Sequence, residues 1–459
     1  MQVCFDQDLI VRYGGRGPRY TSYPTALQFN DELTEADYKA KAKESNDSDV
    51  PLSLYIHIPF CHSLCYYCGC NKIVTRNEER VARYMDMLYR EIEMQSELFD
   101  RRRKVEQLHF GGGTPTYLDK EQLAALMDHL RNSFTFDESE DHEFSIEVDP
   151  RTVDAERIRE LRALGFNRLS LGIQDFHEPV QKAVNRAQSP EEVQTLMDSA
   201  REAGFGSISF DLIYGLPLQT VETFDKTLDI VIAMKPDRLA VYNYAHLPQR
   251  FKGQRMINSD DIPTPETKLD LLHHTIDKLC DAGFIYIGMD HFALPNDELV
   301  LARENGTLQR NFQGYSTHRQ CDLVSLGVSG IGGIGNMFAQ NAVSTIEYEE
   351  IIERGELPIK KGLLVDDDDL LRAAVIQDLM CYDRLSYDDF GARHNVDFRE
   401  YFADEIKKLD VLEEDGLIEL SESGISITPQ GRLLLRNIAM TFDRYIDLEE
   451  NDNRFSKAI

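Results

Sequence analysis

Residues 53–70 read SLYIHIPFCHSLCYYCGC: an apolar run, then four cysteines within ten residues. The run SLYIHIPF (53–60) has the length and the β-branched and aromatic content of a buried strand. Side chains alternate along a strand, so Tyr55 and His57 share one face. The cysteines stand at Cys61, Cys65, Cys68 and Cys70, a C-x3-C-x2-C-x-C spacing. Structural zinc ordinarily uses two separated pairs of ligands. A ferredoxin-type cluster uses four thiolates. Three thiolates in an eight-residue loop can instead hold three corners of a [4Fe–4S] cube, leaving the fourth iron open to a small molecule. Cys70, two residues beyond Cys68, is poorly spaced as a fourth ligand to the same cube. Zinc and plain structural thiols are the alternatives. Cys4, Cys280, Cys321 and Cys381 are scattered, as ordinary thiols are.

Downstream, strand-like runs recur: VEQLHFGG (105–112), FSIEVD (144–149), RLSLGIQ (168–174), ISFDLIYG (208–215), RLAVYNYAHL (238–247) and IYIGM (285–289). Helical stretches separate them. From about Glu78 to Leu98, Val81, Tyr84, Leu88 and Ile92 fall three or four apart on one face. Another helix spans about Pro190 to Ala203 and meets a C-cap signal at Gly204. Strands alternating with helices predict a parallel sheet with right-handed crossovers. Six such units fit an open, incomplete β/α barrel. The chemically interesting residues sit at strand ends, where such barrels build their sites. GGGTP (111–115) follows the second strand. Its glycines permit unusual backbone angles and close approach of a ligand. A tight turn is the bland alternative, and no Walker GK[ST] follows.

Residues 1–50 read as an N-terminal arm around GPRYTSYPTA (17–26), whose prolines and hydroxyls argue against regular structure. The barrel and its extension are expected over 51–365. Near VDDDD (365–369) the composition shifts, and 366–459 reads as a mostly helical domain. Within it GLIEL (416–420) and GISIT (424–428) form a hairpin pattern before an apolar helix from Pro429, as in a winged-helix module. A lid or packing role is expected there.

The 459 residues carry 50 basic and 80 acidic side chains, a net charge of −30. That field opposes binding to nucleic acid or anionic lipid. Residues 401–459, with 7 Lys/Arg against 13 Asp/Glu, repeat the pattern in the winged-helix-like part. No apolar run approaches the roughly 18 residues of a membrane span. Asp6 and Asp8 stand where a signal peptide needs a basic and then an apolar region. A cytoplasmic protein without membrane insertion is expected.

CxxxCxxC after a first strand resembles the signature of radical S-adenosylmethionine (SAM) enzymes. The longer string YIHIPFCHSLCYYCGCNKIVTRN (55–77) resembles the oxygen-independent coproporphyrinogen III oxidases (dehydrogenases). The likeness continues through GPRYTSYPTA, HFGGGTPTYL (109–118), SIEVDPR (145–151), NRLSLGIQDF (167–176), DLIYGLP (211–217), YNYAHLP (242–248), IGMDHFA (287–293), RNFQGY (310–315), GVSGIG (327–332) and GRLLLRNI (431–438). It covers nearly the whole chain. The extra Cys70 and the arm are more selective than the three-cysteine motif.

The resemblance implies an α/β fold, an incomplete barrel of radical SAM type, with the arm and the helical C-terminal domain appended. It implies that Cys61, Cys65 and Cys68 ligate a [4Fe–4S] cluster and that Cys70 does not. It places Tyr55, Gly112, Glu147, Ala245 and Ile331 about a first SAM. Tyr67, Gly113, Thr114, Gln174, Arg186 and Asp211 are placed about a second. Tyr67 stands where the family may have Phe. Carboxylates such as Glu147 and Asp211 suit the cationic groups or ribose of SAM. Arg186 suits its carboxylate. Each alone could be a strand-end ion pair or an exposed charge. Tyr55, Glu147, Ile331, Phe312 and Gln313 are the expected catalytic set. His57 reads as a core histidine. Arg19 and the arm tyrosines suit either closure over anionic propionates or a solvated arm.

The implied reaction is the radical SAM oxidative decarboxylation of coproporphyrinogen III to protoporphyrinogen IX in anaerobic haem biosynthesis. Two propionates become vinyl groups after hydrogen abstraction by a 5′-deoxyadenosyl radical. An electron donor such as flavodoxin or ferredoxin, an electron acceptor of unknown identity and a monomeric state are expected with it. A haem-binding chaperone of the same superfamily is the main rival, although that branch usually lacks the fourth cysteine and the long arm. Another radical SAM enzyme and an electron-transfer protein are the others.

Overall fold

The structure is a computed structural model that describes residues 3–139, 141–317 and 321–446. The chain forms two compact units. One gathers residues 29–271 and 320–364; the other gathers 1–28, 272–319 and 365–459.

The first unit contains the expected strands: β1 (Leu52–Ile58), β2 (Lys104–Gly112), β3 (Glu143–Val148), β4 (Arg168–Gln174), β5 (Ser207–Tyr214) and β6 (Arg238–Asn243). They pair in parallel in sequence order. Registers such as Tyr55 opposite His109 and Gly172 opposite Asp211 align their C-terminal ends. Crossover helices α1 (Glu78–Ser96), α2 (Lys120–Ser133), α3 (Ala155–Ala163), α4 (Pro190–Ala203) and α5 (Val221–Met234) return the chain. Each starts at a side-chain cap: Asn77, Asp119, Asp154, Ser189 and Thr220 accept from a backbone N–H three residues on. Such caps satisfy donors that the first turn leaves free. Gly204 closes α4 in the left-handed conformation, as its sequence predicts.

Beyond the expected six, four strands extend the sheet: β7 (Asp322–Leu326), β8 (Ile331–Ile334), β9 (Met337–Asn341) and β10 (Ile359–Leu364). β7 joins β1 in parallel on the side away from β2, and β8 to β10 continue antiparallel. The described strands of this unit form an open path from β6 to β10, not a closed barrel. The glycine-rich GVSGIGGIG (327–335) hides β8 from a strand reading, because glycine is depleted in strands.

In the other unit, IYIGM is not a further crossover strand. Ile285–Gly288 pairs antiparallel with His291–Ala293. The C-terminal part has helices Asp367–Cys381, Tyr387–His394 and Ala403–Glu414. Its small sheet pairs Gly424–Ile427 with both Ile418–Leu420 and Arg384–Ser386, the winged-helix-like pattern. Asp366 and Asp369 of the acidic run form a capping box. Phe390, Phe398, Phe402, Leu409, Ile438 and Phe442 fill the core.

Residues 1–50 are more regular than the arm reading predicts. Gln7–Tyr13 and Glu35–Ser45 are helices capped by Asp6 and Thr34. The proline-containing stretch between them is mostly irregular, with one short 3-10 turn at Ala26–Gln28. Its Tyr20 and Tyr23 are not solvated: both are buried in the C-terminal core. Tyr20 donates to Asp443 at 2.9 Å, and Tyr23 Oη accepts from the Arg444 amide at 3.1 Å. Arg19 pairs with Asp290.

Candidate active site

The cysteine loop leaves β1 through Phe60–Cys61, which pairs with Ile73–Val74 and closes the neck of the loop. Inside that neck, Cys61, Cys65, Cys68 and Cys70 all face one cavity of about 590 Å³ at the C-terminal ends of the strands. Tyr67, Gly112, Gly113, Thr114, Glu147, Gln174, Arg186 and Asp211 line the same cavity. Residues spread over some 150 positions of sequence are thus brought to one place, as a parallel β/α sheet does at its strand ends.

Each thiol has a polar neighbour. Cys61 Sγ lies 3.5 Å from the Thr114 hydroxyl. Cys65 Sγ accepts from Arg151 Nη2 at 3.3 Å and Arg186 Nη1 at 3.4 Å. Cys68 and Cys70 share a hydrogen bond that holds the Cys68 thiol low and pushes Cys70 up. Lys72 donates to the Cys68 carbonyl at 3.0 Å. Among the described residues, no three His, Cys, Asp or Glu side chains converge on a single-ion site. Three thiols around a roomy cavity, with cations beside them, suit a polynuclear iron–sulfur cluster, whose ligands are thiolates.

The GGGTP turn is shaped by its neighbours. Gly112 has φ +116°, and a Cβ there would lie 2.8 Å from the His57 ring. At Gly113 a Cβ would lie 2.7 Å from the Pro59 carbonyl. Glu147 receives the Gly112 amide on Oε2 at 3.2 Å, and its Oε1 lies 3.4 Å from His109 Nε2. His57 is a satisfied buried histidine. Its Nδ1 meets Tyr55 Oη and its Nε2 meets the Asn71 carbonyl, both at 3.0 Å. Burial lowers its pKa.

Asp211 accepts from Ser170 Oγ at 2.9 Å. Burial, aided by the nearby Glu147 charge, raises its pKa to about 6. Gln174 has φ +68° at a register shift in β4. Arg186 is buried and donates to the Gly172 carbonyl and, at 3.2 Å, to Asp149.

Five expected residues do not line this cavity. Tyr55 is stacked on His109 at 5.8 Å. The Ala245 carbonyl accepts from Gln254, which also holds the Tyr67 carbonyl. The Ile331 carbonyl accepts from Ser325. Phe312 and Gln313 form the turn of a hairpin, Gln309–Asn311 with Gly314–Ser316, in the other unit. Conversely, Asp149, Arg151, Lys72 and Ser170 line the cavity without having been singled out. The signal was present in D-P-R directly after β3, where a charged residue at a strand end faces the site.

A model of the radical SAM superfamily matches residues 55–231, and one of the HemN C-terminal domain matches 365–434. An oxygen-independent coproporphyrinogen III oxidase of Pseudomonas aeruginosa is 51% identical over 457 residues, covering 100% of this chain and 99% of its own. The chain belongs to this family of radical SAM enzymes. The family member of Escherichia coli is 47% identical, covering 100% and 99%. That of Synechocystis is 42% identical, covering 100% and 98%. The solved structure of coproporphyrinogen III oxidase (HemN) from Escherichia coli superimposes with a TM-score of 0.91 at 47% identity. It covers 97% of this chain and 100% of its own. The open α/β sheet and the helical C-terminal region are therefore those of the oxygen-independent coproporphyrinogen III oxidases.

Proposed function

We propose that this chain converts coproporphyrinogen III to protoporphyrinogen IX in oxygen-independent haem biosynthesis. Each of two propionates becomes a vinyl group. Per vinyl, one hydrogen atom leaves the β-carbon, CO2 departs and one electron passes to an acceptor. The observation that carries this reading is the shared cavity: Cys61, Cys65 and Cys68 face Gly112–Thr114, Glu147 and Asp211 across it.

When bound, a [4Fe–4S] cluster and SAM supply the electron and the 5′-deoxyadenosyl radical that removes the hydrogen atom. Cys61, Cys65 and Cys68 would hold the cluster. The Gly112 backbone and the Glu147 carboxylate, together with Tyr55, Ala245 and Ile331, would orient a first SAM. Tyr67, Gly113, Thr114, Gln174, Arg186 and Asp211 would orient a second. Glu147 and Asp211 offer negative charge to an ammonium, a sulfonium or ribose hydroxyls. Phe312 and Gln313 would act on the substrate.

An electron donor of flavodoxin or ferredoxin type, an acceptor, a monomeric state and a cytoplasmic location belong to the same proposal. Among the described residues no helix is long and apolar enough to cross a membrane.

The test is anaerobic reconstitution with iron and sulfide, followed by SAM, a reductant, an acceptor and coproporphyrinogen III. 5′-Deoxyadenosine and vinyl products in proportion support the reading. 5′-Deoxyadenosine without vinyl product moves the substrate elsewhere. An intact cluster giving neither, in a chain that binds haem, favours the chaperone.

A further inference from the structure

The three thiols are unequally surrounded. Cys61 has a hydroxyl neighbour, whereas Cys65 receives two guanidinium N–H groups, at 3.3 Å from Arg151 and 3.4 Å from Arg186. Both arginines are held by one carboxylate. Asp149 Oδ2 pairs with Arg151 Nη2 at 2.6 Å and with Arg186 Nη1 at 3.2 Å. The Arg151 Nε also donates to Asp149 Oδ1 at 2.9 Å, making a two-pronged pair. Arg151 Nη1 donates to the Asn185 carbonyl at 3.2 Å, and Asn185 Nδ2 donates to the Leu64 carbonyl at 2.7 Å. The D-P-R turn after β3 is thereby fastened through Asn185 to Leu64, the residue before Cys65. Asp149 is buried and Arg151 largely so, so these charges are weakly screened.

We infer that Arg151 sets the reduction potential of the cluster through its hydrogen bond and charge at the Cys65 sulfur, with Asp149 as the residue that aims it. The inference rests on the reading of Cys65 as a cluster ligand and goes beyond it. Reduction adds one negative charge to a thiolate-bound cluster. N–H donors and positive charge at the sulfur stabilise that added charge, and hydrogen bonds to the sulfurs are among the terms that set such potentials. Arg151 lines the cavity, and the effect inferred here runs through its contact with the ligand sulfur. The geometry also explains why an arginine stands there. A guanidinium can hold a carboxylate with two prongs and still present an N–H to sulfur, whereas an ammonium is a point charge without that fork.

The experiment uses the full chain, reconstituted anaerobically, with iron and sulfide content measured first. The midpoint potential of the cluster without SAM is then found by redox titration followed by electron paramagnetic resonance. Wild type, Arg151→Gln and Arg151→Lys are compared, with Lys120→Gln as a surface-charge control, since Lys120 pairs with Glu160 outside the cavity. Arg151→Gln is expected to disfavour reduction at least tenfold, about 59 mV for one electron. Arg151→Lys, which keeps charge but loses the fork, is expected to shift the same way by less. Lys120→Gln is expected to match wild type. A wild-type potential in either Arg151 variant with a full cluster, or an equal shift in the control, overturns the inference. If Arg151→Gln does not take up iron, Arg151→Lys decides alone. Wild type failing to form any cluster would instead overturn the functional reading beneath it.

Discussion

The Gly112 amide donates to Glu147 Oε2 at 3.2 Å while the Gly112 α-carbon faces the His57 ring, where a Cβ would come within 2.8 Å. One glycine therefore couples a carboxylate in the cavity to a buried histidine on β1. Gly112→Ala must either leave its φ of +116° or displace His57. Alanine at positive φ costs more than the roughly 1 kcal/mol that it gains at compatible sites. The variant should lose SAM affinity at least tenfold and melt at lower temperature. Titration calorimetry and thermal denaturation check this.

Cys61→Ala, Cys65→Ala and Cys68→Ala should each abolish both the cluster and turnover. Cys70→Ala should retain iron, because Cys70 meets Cys68 rather than completing a separate ligand set. Iron and sulfide analysis after reconstitution distinguishes the four variants. Full activity in any of the first three would contradict the assignment.

Glu91 of α1 is fully buried and accepts from Tyr348 Oη at 2.6 Å, the Gly327 amide at 2.7 Å and Asn341 Nδ2 at 2.7 Å. Among the described residues no cation joins these donors, and burial raises its pKa to about 7. The folded chain then binds a proton more readily than the unfolded one. The site's stabilising contribution is present below the unfolded pKa of 4.5 and fades as pH rises through about 7. Between pH 6 and 8 this amounts to about 1 kcal/mol. Glu91→Gln should lose that slope, so its stability relative to wild type should improve from pH 6 to pH 8. Urea denaturation at the two pH values measures it.

Asp211 supplies a second pH test. Its pKa, raised to about 6 by burial and by Glu147, means that the carboxylate is charged above pH 6 and increasingly neutral below. If it holds a cationic or hydroxyl group of SAM, affinity should fall as pH drops from 7 to 5. Asp211→Asn should bind more weakly at pH 7 and show a flatter profile. Equilibrium binding of labelled SAM across that range checks both points.

Much of the fold was legible because each βα unit carries its own signals: an apolar run, a cap such as Asp119 or Ser189, and an amphipathic helix. Those are local, and local patterns survive in one sequence. β7 to β10 were not legible. β8 is cut from glycine-rich sequence, and its place is fixed by partners such as Phe338 opposite Gly333, not by its own residues. The arm misled for a related reason: Tyr20 and Tyr23 look like surface tyrosines until a core more than 350 residues away covers them. Within the site, Glu147 and Asp211 came in through the family resemblance, whereas the glycines and cysteines announced themselves by spacing. Asp149 and Arg151 did not, because an ion pair on a turn has no period. Its value lies in reaching Cys65, a contact between residues 86 positions apart.

The pairing of β1 between β2 and β7 has a consequence for how the protein is made. The strand that leads into the cysteine loop acquires its second neighbour only when Asp322–Leu326 emerges. That is roughly 270 residues after β1 itself, or about 15–50 s at ordinary rates of synthesis. Through that interval one edge of β1 offers unpaired amides and carbonyls to any passing strand. The nascent chain is thus most open to misassembly beside its cysteine loop, whose thiols emerge well before the sheet around them is complete.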